Sequence, residues 1–360
     1  MASGAPWNQA SRSLLTPRDL PRFEGDGLFE RVARAVCEAR CLPRKELFES
    51  WEVARRVRAE FHGGQVFDLA CGHGLLAHLL LLLDDGSSGP RATALDARLP
   101  ESARKLQAAL EAHFPLLRGR VELLQAPLTQ ARPGRGDLVV SAHACGPLTD
   151  EVLAVAASAQ ARVAVLPCCH DGDANDAAGL SGWLEPALAI DAARAVGLRD
   201  RGYKVITQSI PARITPKNRL LLGRPLVELY EAARYDAHLP DGTVTLRHGA
   251  PAPALDALLA PAAPEWAFLT AWNPCSRQLS RPENERRQAQ LIRELGRYRL
   301  FHGEGRDDAG LWTPELSVLA LGLPLAEALE RGRAWGQVAV LAGRRGEPAR
   351  VVPCRPGSGW

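Results

Sequence analysis

From residue 65 onward the chain alternates short apolar runs with longer amphipathic stretches, and this alternation sets the expected fold. The runs at 65–70 (QVFDLA), 91–96 (RATALD), 121–126 (VELLQA), 137–142 (DLVVSA) and 162–167 (RVAVLP) read as strands. Between them, residues 73–83, 100–114 and 147–159 read as helices. In the second of these Leu106, Leu110 and Phe114 share one stripe, while Arg104, Lys105 and Glu111 fall elsewhere. Strands alternating with helices specify a parallel sheet covered on both faces. After a further helix near 187–202, the runs at 202–211 and 218–225 lie too close together to hold a crossover helix, so this last pair is antiparallel. The expected class is α/β, with a Rossmann-like seven-stranded sheet.

The flanks read differently. Leu28, Val32 and Val36 recur at helical spacing, as do Phe48, Trp51 and Phe61 more loosely, so residues 1–60 form a helical segment after a polar lead-in. Trp51 with Arg55 and Arg56 could cover a substrate, although a core tryptophan beside solvated arginines is the simpler reading. The sheet domain is expected over 61–236. Residues 237–264, rich in Pro and Ala without a long periodic segment, read as a linker. Residues 265–354 then read as a small α+β domain, with strands at 265–272, 297–301, 316–323, 337–343 and 349–353 and helices at 281–296 and 324–335.

Composition narrows the class only slightly. Of 360 residues, 46% are apolar and 24% charged, which is typical of a soluble globular chain. A net charge of +3 is a weak guide to partners, and only four lysines stand among the 44 basic residues. No basic start followed by an apolar stretch marks a secretory signal, and the longest apolar run stops at Asp84, short of a bilayer span. A cytoplasmic protein with reduced thiols, no membrane association and no obligate protein partner is expected.

The candidate chemistry begins in FDLACGHGLLA. A strand ends at Asp68-Leu69 and turns through Gly72 and Gly74 into a helix, exposing helix N-terminal amides to a ligand. Gly72-His73-Gly74-Leu75-Leu76-Ala77 also fits the dinucleotide fingerprint, so NAD competes with S-adenosylmethionine (SAM). Asp68 separates the two, because a carboxylate near the turn repels a pyrophosphate and attracts SAM's ammonium group. At 4 Å in a partly screened site such a pair is worth about 4 kcal/mol before desolvation is subtracted. Asp96 ends the second strand, where it can accept from ribose hydroxyls. Gln125 and Ala126 end the third, beside the adenine position, and Ser141 ends the fourth.

A second constellation follows strands four and five: Ser141-Ala142-His143-Ala144-Cys145-Gly146 and Pro167-Cys168-Cys169-His170-Asp171. In a doubly wound sheet these strand ends share the ligand crevice. His143 or His170 could take a proton from an acceptor hydroxyl or amine. Cys168 could add to a pyrimidine. Zinc would need ligands from both loops, since Cys168 and Cys169 are adjacent, and no metal is expected. Alternatively the cysteines pack as small hydrophobes and His143 supports its loop. Cys145 and Cys169 are read as facing substrate. Asn218 in TPKNR either contacts substrate or stabilises the turn after Pro216.

The sheet and the glycine turn resemble class I SAM-dependent methyltransferases. HACG, PCCH and ITPKNRLLLG are similar to a branch that includes the eukaryotic tRNA 2'-O-methyltransferase and other methyltransferase-like proteins, over roughly residues 45–225. The resemblance implies SAM as cofactor and RNA, tRNA first, as substrate. A small-molecule or protein acceptor and a non-catalytic SAM-binding role stay open. Ala70 stands where glycine is usual in that turn, a change tolerated if its φ is negative. Residues 266–351 resemble a bacterial domain family of unknown function. Within them Asn273, Ser276, Asn284, Glu304, Arg306 and Glu315 lie at strand ends or in Gly-rich loops, and a recognition module is favoured over a second enzyme.

Overall fold

The computed structural model describes residues 7–84, 91–172, 174–308, 310 and 313–354. The chain divides between Arg224 and Pro225 into two compact units.

The first unit opens with helices α1 (Leu28–Ala39) and α2 (Arg44–Glu60) and continues as β1 (Val66–Leu69), α3 (Leu75–Leu82), β2 (Ala92–Asp96), α4 (Ser102–His113) and β3 (Val121–Gln125). It ends with β4 (Leu138–Ser141), α5 (Pro147–Ala159), β5 (Arg162–Val165), α6 (Pro186–Asp200), β6 (Tyr203–Ser209) and β7 (Arg219–Pro225). The sheet order is β3-β2-β1-β4-β5-β7-β6. The pairs from β3 through β5 are parallel and β7 runs antiparallel to β5. This is the seven-stranded Rossmann-like sheet expected from the sequence. Order reverses between β1 and β4, and in such a sheet the ligand crevice opens at the carboxyl ends of those strands.

Both faces of the sheet are covered, so its strands carry apolar side chains in alternate directions. Val66, Leu138 and Val140 enter one core with α1 to α4, while Phe67, Leu69, Val139 and Val163 enter the other with Leu153 of α5 and Leu198 of α6. Helix α3 is apolar except for His78, whose Nδ1 lies 2.7 Å from Gly74 O, which suits a helix buried on every side, and its residues 75–81 are buried. Trp51 of α2 packs against Phe29 with ring centroids 5.1 Å apart, and Arg56 pairs with Glu52. The tryptophan is a packing residue.

The second unit begins with α7 (Leu226–Ala232), β8 (Arg234–Leu239), β9 (Gly242–Arg247) and α8 (Pro253–Asp256). It continues with β10 (Glu265–Leu269), α9 (Arg281–Glu294), β11 (Arg299–Arg306), β12 (Glu315–Leu321), α10 (Leu325–Ala334), β13 (Ala339–Arg344) and β14 (Arg350–Pro353). Its sheet runs β14-β13-β10-β12-β11-β8-β9 with antiparallel pairs throughout. Residues 237–264 are therefore not a linker, and the second unit starts at 225 rather than 265. Pro240-Asp241 is a two-residue turn that closes the β8–β9 hairpin, with Leu239 opposite Gly242. The β8 strand pairs with β11 along Arg234 to Ala237, and this non-local partner leaves no trace in local periodicity. No helix of the described residues is long and apolar enough to cross a membrane.

Candidate active site

The chain leaves β1 through a turn with positive φ at Ala70 (54°), Gly72 (55°) and Gly74 (72°). Gly74 caps α3, and a Cβ there would stand 2.9 Å from Leu123 Cδ2, so close packing as well as conformation demands glycine. Ala70 does not meet the condition of a negative φ: a methyl-bearing residue occupies the left-handed region, at a cost of about 1–2 kcal/mol. Two bonds hold the turn. Gly74 N donates to Cys71 O at 2.8 Å, and Cys71 N donates to Leu95 O at 3.0 Å.

Asp96, half-buried at the tip of β2, accepts from Gly72 N through Oδ2 and from Arg98 N through Oδ1, both at 2.9 Å. Each carboxylate oxygen has lone-pair capacity beyond one amide, so Asp96 can also receive ribose hydroxyls. Asp68 lies beneath the turn instead of facing the crevice. It is 1% exposed, and its Oδ2 accepts from Ala77 N at 3.2 Å. Burial pushes its carboxyl up to about 7, opposed by the Ala77 N–H and reinforced by Asp96. Its action on a cofactor is through its field. Gln125 is exposed at the end of β3, and Ala126 N donates to Asp96 O at 3.0 Å. Ser141 is buried and its Oγ accepts from Ala144 N at 3.1 Å, which shapes the loop after β4. The side wall at Gly72 is open: a Cβ built there meets only His143 Cδ2, at 3.7 Å. A glycine turn with space beside it, amides at a helix start and two carboxylates within and beneath it fit SAM better than a pyrophosphate.

His143 is half-buried at this rim. Two residues that carried no site assignment in the sequence feel its proximity. Burial lowers the His73 imidazole, and the proximity of His143 lowers it further; His73 Nε2 lies 3.0 Å from Ser102 Oγ. Burial raises the Glu46 carboxyl on α2, while His143 pulls it back down. His73 could have been noticed between its two glycines. Glu46 had no local signal.

The loops after β4 and β5 are joined from behind. Gly146, with φ 54° and ψ −127°, occupies backbone space open essentially to glycine, and its N–H donates to Cys169 O at 3.2 Å. Arg194 of α6, its side chain 3% exposed, donates to Gly146 O at 2.9 Å and to both oxygens of Asp150 at 2.8 and 3.0 Å. Asn175 donates to Asp150 at 2.7 Å and accepts from Asp171 N at 3.0 Å. His170 Nε2 meets Asp191 Oδ1 at 2.7 Å, and Arg219 Nε donates to Asp191 Oδ2 at 2.7 Å. His170 is thus built into this network, with its side chain 4% exposed.

Cys145 and Cys168 bring their sulfurs to 3.0 Å, and Cys168 and Cys169 theirs to 3.8 Å. Burial strongly raises the Cys168 thiol, and Cys145 and Cys169 add to the effect. A covalent route through Cys168 needs a thiolate, which this surrounding disfavours. Asn218 Nδ2 donates to Ile210 O at 2.9 Å and closes the β6–β7 connection, the turn-stabilising role.

The second unit holds its own cavity of about 610 Å³, walled by Tyr230, Tyr235 and Phe268 and floored by Asn273, Arg306 and Glu315. Asn273 Nδ2 donates to Glu315 Oε1 at 2.7 Å, and burial raises the Glu315 carboxyl. Asn273, Cys275 and Ser276 all have positive φ, a local strain of the kind held at binding sites. Of the sequence-selected residues, Asn273, Ser276, Arg306 and Glu315 line this cavity. Asn284 lies behind it, buttressing Asn273, and Glu304 is not among the lining residues.

Residues 47–173 match the family model described as a methyltransferase domain, and residues 269–340 match that of a protein family of unknown function, DUF3293. No curated protein matches. Among solved structures, the mitomycin 7-O-methyltransferase MmcR is 20% identical with a TM-score of 0.34, covering 57% of this chain and 60% of its own. Magnesium protoporphyrin IX methyltransferase from Synechocystis, with bound S-adenosylhomocysteine, is 16% identical with a TM-score of 0.33 over 57% of this chain and 93% of its own. The 23S rRNA methyltransferase ErmE is 17% identical with a TM-score of 0.31 over 49% of this chain and 68% of its own. Over residues 47–173 the first unit thus matches a methyltransferase domain.

Proposed function

We propose that this enzyme transfers a methyl group from SAM to RNA, with tRNA as the substrate class, at a hydroxyl or amine deprotonated by His143. The observation that carries the catalytic part is the position of His143, whose ring borders the open side of Gly72 in the cofactor turn. Bound in that turn, SAM supplies an electrophilic methyl group on a sulfonium centre. Asp96 holds the nucleoside end of the cofactor, and Asp68 contributes negative charge beneath it. His143 accepts the acceptor's proton.

The RNA part rests on HACG, PCCH and ITPKNRLLLG, the motifs by which the sequence resembles the tRNA-modifying branch. The second unit, with its aromatic and polar cavity, serves recognition in this reading. Incubation of the protein with methyl-labelled SAM and host RNA, protein and small-molecule fractions tests it. Label in the tRNA fraction, lost in His143→Gln, is the expected result. Label confined to protein or small molecules would overturn the RNA assignment.

A further inference from the structure

We infer that Cys145, Cys168 and Cys169 form a binding site for a soft divalent metal ion, Zn²⁺ by the chemistry of its ligands, which clips the loop after β4 to the loop after β5. The three sulfurs lie within 4.8 Å of one another. Zinc binds thiolates at about 2.3 Å, so two ligands in a tetrahedral set stand about 3.8 Å apart. The Cys168–Cys169 separation of 3.8 Å already meets that figure, and the Cys145–Cys168 separation of 3.0 Å must open by under an ångström.

Adjacent cysteines reach one ion here because of where β5 stops. In a strand, neighbouring side chains point to opposite faces, but β5 ends at Val165 and residues 166–171 have no regular structure. Freed of alternation, both sulfurs turn to one side. The partner loop is brought to them by groups other than the thiols: Gly146 N on Cys169 O, and the Arg194–Asp150–Asn175 bonds. The ligands are therefore held in place before an ion arrives.

Packing does not account for the cluster. Free cysteines are among the most buried residues, and Cys37, Cys71 and Cys354 obey that rule, whereas Cys145 and Cys169 are exposed beside half-buried Cys168. Neither His143 nor His170 falls within the sulfur cluster. The ion has three protein ligands, and a fourth tetrahedral position open to water or to a lone pair of the methyl acceptor, the arrangement of zinc sites that take part in chemistry. Binding releases the thiol protons to solvent.

The test uses the full chain, purified reduced and desalted, with zinc measured by mass spectrometry and Co²⁺ titrated into stripped protein. About one zinc per chain and a thiolate-to-cobalt charge-transfer band are expected. Cys145→Ser and Cys169→Ser, exposed positions that leave the core intact, each weaken Co²⁺ binding about tenfold or more. Cys275→Ser, in the other unit, binds like the wild type. A reduced wild-type chain that takes up neither metal overturns the assignment, as does Co²⁺ binding unchanged in Cys145→Ser. So does recovery of Cys145 and Cys168 as a disulfide in metal-replete, unreduced protein.

Discussion

Arg194 donates through Nη2 to the carbonyl oxygen of Gly146 at 2.9 Å, and this bond ties helix α6 to the loop that carries His143 and Cys145. The same guanidinium grips Asp150 and reaches Asp191 at 3.4 Å, so one buried side chain sets the position of both acceptor-side loops. Arg194→Met keeps the apolar stem and removes these bonds. Asp150 is 46% exposed and can rehydrate, which limits the loss. A decrease of about 1–3 kcal/mol in stability is expected by denaturant titration, with a larger fall in turnover than in cofactor affinity. Equal losses in the two would mean that Arg194 serves the fold alone.

Ala70 at φ 54° makes a prediction of opposite sign. Ala70→Gly relieves the left-handed strain while adding freedom to the unfolded chain. The balance is a gain of about 1 kcal/mol, seen as a higher denaturation midpoint at unchanged slope. A destabilised variant would mean that Ala70 does not hold that backbone conformation.

Asp68 couples cofactor binding to pH. Its folded value is raised to about 7 by burial, so the associated stability is complete at acid pH and declines as pH rises towards 7. Binding runs the other way, because a cationic ammonium prefers the ionised carboxylate. Affinity for S-adenosylhomocysteine should weaken as pH falls through about 7, by up to tenfold per unit. Asp68→Asn should bind weakly and without that dependence; calorimetry from pH 5.5 to 8.5 checks both. A wild-type affinity flat across this range would remove Asp68 from the cofactor's account.

His143→Gln separates catalysis from binding. A general base contributes about 10²–10⁴-fold to rate, so turnover should fall by that order while S-adenosylhomocysteine affinity stays within about twofold. Undiminished turnover would transfer the role elsewhere.

Much of this was legible because burial writes itself into the chain. The β1 and β4 strands are apolar except at Asp68 and Ser141, and helix α5 occupies the residues that periodicity assigned, Pro147–Ala159. The β8–β9 hairpin was missed because Pro and Ala around it resemble a linker, and its partner β11 is about 70 residues away. Within the site, strand topology was enough to bring HACG and PCCH together. It could not show that Ser141 turns inward, that Asp68 lies beneath the turn, or that the Glu46 carboxyl, on a helix outside the sheet, feels His143. Those depend on side-chain direction and on packing between distant segments.

The most direct test of the central claim is equilibrium binding of S-adenosylhomocysteine and of NADH to the same protein, with Asp96→Ala alongside. Saturable binding of S-adenosylhomocysteine, weakened about 10–100-fold in the variant by loss of charged hydrogen bonds, is the predicted result. Binding of NADH with no response to S-adenosylhomocysteine would contradict it.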